Sequence, residues 1–147
     1  MTDFTSAFRL GQEAAAKAQA ARRSIADVVN RVSEQLNEVT NGRLVIQVRT
    51  FDEEVENADA NALVAAFSLM RKYKKQKYLS ASNPLSSDKG FTKLARWNQA
   101  EEGFPCTLAY GKSELTCYDV ASLEAAFTEC LASAVVGEKL TVVINNS

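Results

Sequence analysis

Two stretches of opposite charge hold the side chains best equipped for chemistry. Residues 52 to 59 read DEEVENAD, placing Asp52, Glu53, Glu54, Glu56 and Asp59 together with no base among them. Such a run can form a solvated connection whose later acids favour a helix N-terminus, a loose cation site, or a negative patch that docks on a basic protein surface. A dedicated calcium loop is not indicated, because the D-x-D-x-D-G spacing is missing. Some twelve residues on, Arg71, Lys72, Tyr73, Lys74, Lys75, Lys77 and Tyr78 gather bases beside two tyrosines. Bases at the end of a helix complement its dipole. Lysines interleaved with aromatic rings can also hold phosphates and stack bases, or the cluster can pair with the acidic stretch of the same or another copy.

Other reactive groups are few. The chain has no histidine, which removes Ser-His-Asp and Cys-His nucleophile systems and histidine metal sites. Cys106, Cys117 and Cys130 form no C-x-x-C pair. Their odd number and spacing suit reduced, buried thiols better than a disulfide framework. No G-x-x-x-x-G-K-[ST], G-x-G-x-x-G or G-x-S-x-G occurs. Catalysis through carboxylates such as Asp88 with Glu101 or Glu102 is not predicted by any spacing. The expectation is a chain with no catalytic residues, no metal site and no cofactor.

Composition bounds the rest. At 147 residues, 46% apolar and 24% charged, the sequence suits one soluble globular domain spanning 1–147. A net charge of −1 gives no global attraction to nucleic acid or anionic membranes. No apolar run is long enough to span a bilayer, and no basic segment leads into an apolar one at the N-terminus. The expected location is the cytoplasm.

The element that must position these patches is a long amphipathic helix over Ser6 to Thr40. Phe4, Gly11, Ala18, Ile25, Val32 and Val39 recur every seven residues, and Phe8, Ala15, Val29 and Leu36 form a second series broken by Arg22. Together they make one stripe. Asn41-Gly42 supplies a left-handed stop. The stripe is nearly all alanine from Ala14 to Ala21 and aliphatic from Ile25 to Val39. The second half therefore packs on the domain, and the first half projects or pairs with another copy.

Beyond Gly42 the patterns alternate. Arg43 to Phe51 reads as a strand with Leu44, Ile46 and Val48 inward. A second helix is expected over Ala60 to Lys77, carrying the basic cluster at its end. A short helix is expected over Gly90 to Gln99 with Leu94, Ala95 and Trp97 inward. Phe104 to Tyr118 reads as a hairpin turning at Gly111-Lys112, with Cys106 and Cys117 as cross-strand neighbours. Asp119 to Val135 reads as a helix capped by Asp119 or Ser122 and stopped at Gly137. Lys139 to Asn145 alternates as a final strand.

The fold class expected is α+β: a mostly antiparallel sheet of four or five strands covered by helices, with residues 1–42 as a long N-terminal helix and 43–147 as the core. The function expected is a non-enzymatic protein-binding module, of which an inhibitor of the immunity, antitoxin or anti-defence kind is one form. Asp52, Glu53, Glu54, Glu56 and Asp59 would meet the partner. A homodimer through the N-terminal helix accompanies this reading, and no membrane partner does. The alternative is a nucleic-acid binder using Arg71, Lys72, Tyr73, Lys74, Lys75, Lys77 and Tyr78.

Overall fold

The computed structural model describes residues 1–54 and 73–146. Helix α1 (Thr5–Val39) precedes strand β1 (Val45–Glu54), and β2 (Tyr73–Ser82), β3 (Thr92–Ala100), β4 (Gly103–Tyr110) and β5 (Ser113–Cys117) follow. Helices α2 (Val120–Ala132) and α3 (Ala134–Asn145) end the chain. The fold is α+β. All five strands join one antiparallel sheet in the order β1-β2-β3-β4-β5, so every strand bonds the next in sequence.

One face of the sheet is the core. Ile46 lies opposite Ala81, Trp97 opposite Leu108, and Cys106 opposite Cys117. All six side chains are buried. Ile25, Val28 and Val29 of α1, Leu123, Phe127 and Cys130 of α2, and Val136 and Val143 of α3 close over that face. The Trp97 and Phe127 rings meet at 6.0 Å between centroids.

α1 also guards the exposed edge of β1. Ser33 Oγ accepts the Ile46 N–H at 3.0 Å, and Asn37 Nδ2 donates to the Leu44 carbonyl at 3.1 Å. Two backbone groups at the start of that edge are thereby satisfied. The helix ends as its sequence indicates: Asn41 and Gly42 have φ of 56° and 83°, and the Gly42 N–H reaches back to the Asn37 carbonyl.

Three elements differ from the sequence expectation. The segment before Tyr78 is not the end of a helix: residues 73–77 belong to β2, while residues 60–72 of the expected helix lie outside the described residues. Pairing with β1 over ten positions outweighs the local helical pattern. Residues 92–100 form β3 rather than a helix. The inward trio Leu94, Ala95 and Trp97 mimics helical spacing because the register shifts beside Leu79 and Ser80, turning two successive residues into the core. Residues 139–145 belong to α3, not to a strand. Its buried and half-buried aliphatic residues are Val136, Leu140, Val143 and Ile144, a helical set, whereas Val142 is exposed.

The α2 cap is Asp119, which accepts the Ser122 N–H at 2.7 Å while Ser122 Oγ accepts the Asp119 N–H. Gly137 does not stop this helix. The break falls at Ser133, whose hydroxyl caps α3, and the two helices bend by 70°. Buried Asn83 closes the other end of α3, donating to the carbonyls of Val143, Ile144 and Asn146.

The two-residue turn Glu101-Glu102 brings Gly103 against α1. A Cβ at Gly103 would lie 2.6 Å from the Ala21 Cβ, and φ there is +98°. Gly103→Ala is expected to destabilise the fold by about 2 kcal/mol or more through backbone strain and overpacking. Urea unfolding of the variant against the parent measures it.

Candidate functional site

The described parts of the acidic and basic stretches lie side by side on neighbouring strands. The β1–β2 register sets Asp52 opposite Lys75 and Glu53 opposite Lys74. Glu53 Oε2 also takes a 2.6 Å ion pair from Arg96 Nη2 on β3. Of the acids expected to meet a partner, Asp52 and Glu53 therefore face bases of the same sheet. The Glu54 side chain, Glu56 and Asp59 lie outside the described residues, as do Arg71, Lys72 and the Tyr73 side chain. Lys74, Lys75 and Lys77 are exposed on β2, and Tyr78 is half-buried.

Direct opposition on a sheet means a shared face. Lys74, Gln76 and Tyr78 thus stand with Arg49, Phe51 and Glu53 on the face away from the core. Tyr78 lies opposite Arg96, and the register shift brings Lys93 opposite Ser80, onto this same outer face. Charge density along the chain does not single out Arg49, Lys93 or Arg96, because isolated cations on β1 and β3 make no run in the sequence.

A second surface is the free part of α1. Ala21 meets Gly103, and Arg22 Nη1 donates to the Glu101 carbonyl at 2.5 Å. This contact explains the arginine that interrupts the apolar stripe. Residues 1–17 are all exposed, including Phe4 at 74%, Phe8 at 65% and Leu10 at 66%. At 1.5 Å per residue the free segment of the helix reaches roughly 20 Å past the sheet.

Two shallow clefts flank α1. One runs beside the Arg31–Glu124 ion pair, 2.9 Å long and half-exposed on both sides. The other has Arg22, Asn30, Lys77 and Gln99 around an apolar floor of Ile46 and Trp97. Among the described residues, no three His, Cys, Asp or Glu side chains lie close enough together to hold a metal ion. Among them, too, no single helix is long and apolar enough to cross a membrane.

Comparison with protein-family models, with curated proteins and with solved structures finds no match to this chain.

The three cysteines are buried free thiols. Burial, with Cys117 close by, pushes Cys106 up to about 12; burial pushes Cys130 up to about 11 and raises Cys117. They stay protonated near neutrality and are poor nucleophiles. The folded chain holds these protons above their ordinary value of 9.0. This contribution to stability is full below that value and is lost as pH rises through the folded values. The urea midpoint should accordingly fall between about pH 9 and 11. A thiol reagent should label the native protein only slowly at neutral pH and label unfolded chain at once.

Proposed function

We propose that this chain is a protein-binding module that engages its partner through the projecting half of α1. The observation that carries the reading is the exposure of Phe4, Phe8 and Leu10 at the start of α1, where all of residues 1–17 are exposed. Burying a phenylalanine or leucine gains about 1.5–3 kcal/mol each. An amphipathic helix laid against an apolar groove or a second helix is a common recognition mode.

A second copy of the chain is the first occupant to test. Gly11 sits in mid-helix with nothing within 4 Å of an added Cβ. Glycine there costs about 1 kcal/mol relative to alanine, with no compensating contact among the described residues. In an antiparallel pair of α1 segments, Phe8 can lie over Gly11 of the other copy and Phe4 over its Ala15. Large residues then face small ones in every layer. An inhibitor of the immunity, antitoxin or anti-defence kind, masking a partner's surface with this arm, is the narrower form of the same proposal.

Light scattering behind size exclusion, together with affinity capture from the native host, tests it. The parent chain should be a dimer or carry a stoichiometric partner. Phe8→Glu should weaken that association roughly tenfold or more while leaving the melting temperature of the body unchanged. A monomer with no stoichiometric partner, or an association that Phe8→Glu leaves intact, overturns the reading.

A further inference from the structure

We infer that the outer face of the sheet is a binding site for single-stranded polynucleotide. This inference is independent of the α1 arm. The face alternates three aromatic rings with three cations across β1, β2 and the start of β3. Phe51 and Tyr78 meet edge to face at 5.7 Å between centroids. Lys93 Nζ lies over both, 5.1 Å from the Phe51 centroid and 4.6 Å from that of Tyr78. Arg49 lies 4.2 Å over the Phe91 ring. Arg96 lies 5.9 Å from the Tyr78 centroid, and its Nε donates to Tyr78 Oη at 3.3 Å.

The described helices all pack on the opposite face, leaving Arg49 and Arg96 exposed and Phe51, Tyr78, Phe91 and Lys93 half-exposed. Glu53 is the acid paired within the cluster, and Lys74 stands opposite it, so the face keeps a positive surplus. The rings hold the cations at fixed places. Phosphate can therefore be bound with little further ordering of long side chains. The cations cover only one side of a ring, and the half-exposed remainder of Phe51, Tyr78 and Phe91 offers stacking surface that an unpaired base can use. A duplex hides its base faces and can use only the cations. An acidic peptide can satisfy the cations but brings no ring stack. Phosphate and planar base together match all six side chains, which is why the polynucleotide is favoured over either.

Fluorescence anisotropy with labelled oligouridine and oligothymidine tests the inference, with a blunt duplex and an oligoglutamate as competitors. Either single strand should bind, at least tenfold more tightly than the duplex or the peptide. Three phosphate contacts give a log–log salt slope of about −2, so a fourfold rise in salt should weaken binding roughly twentyfold. Lys93→Gln should flatten that slope by about 0.7. Tyr78→Ala should weaken binding roughly tenfold at unchanged slope. Arg49→Gln, at an exposed position, supplies a charge test that does not depend on the Tyr78 variant folding. Equal binding of both strands points to a shared backbone-and-base contact, and a preference for oligouridine points to added ribose contacts; both support the site. The inference is overturned by no binding at low salt, by duplex or oligoglutamate binding equally well, or by folded Lys93→Gln and Arg49→Gln variants that bind as the parent does.

Discussion

The contact between the middle of α1 and the inward face of the sheet sets the terms for the whole molecule. Ile25, Val28 and Val29 bury against strands that also receive α2 and α3. Ser33 and Asn37 on the same stretch close the β1 edge. Gly103 admits the helix backbone at the β3–β4 turn, and Ala21 is small enough to meet it. That close approach fixes where the helix leaves the sheet. N-terminal to it, the apolar stripe continues with no sheet beneath it. Packing every described helix on one side has a second result: the strands alternate except at the β3 bulge, and their other face meets whatever lies outside.

Much of this architecture could be read from residue order, and the exceptions share a cause. α1 and its Asn41-Gly42 stop, the hairpin turning at Gly111-Lys112, and the Asp119 cap are local features. Each depends on residues a few positions apart, and each is present. β2, β3 and α3 depend on partners distant in sequence. Lysines 74, 75 and 77 have a helical look until Asp52 and Glu53 are seen across the ladder. Leu94-Ala95-x-Trp97 imitates a helix because a bulge doubles one inward position. Leu140, Val142 and Ile144 imitate a strand, yet α3 buries Val136 and Val143 and turns Val142 outward. β-branched residues yield here to packing and to the caps at Ser133 and Asn83.

The charged patches show the same division. The sequence displays an acidic run and a basic run some twelve residues apart, which suggests either two surfaces seeking partners or two runs that pair. Antiparallel pairing lays their described parts against one another, so much of that charge is answered within the sheet. The surplus falls instead on residues that no composition window highlights. Arg49, Lys93 and Arg96 are isolated along the chain and become neighbours only through the register of three strands. The exposed phenylalanines of α1 were legible as part of a heptad pattern. The alanine run also marked the N-terminal half as the part that projects; the point on the helix where contact ends was not legible, since it is drawn by Gly103, some eighty positions from Ala21.

The strict sequential order of the strands also bears on how the molecule comes into being. Each ladder from β2 to β5 closes a short connection, and loop-closure entropy rises with the span to be closed. A meander of this kind can add strands one hairpin at a time as the chain lengthens. Topologies rich in near-neighbour contacts reach their final state faster than those that await remote partners. The long-range steps are the docking of α1 onto β4 and of Asn83 onto the end of α3, which lock an assembled sheet rather than build it.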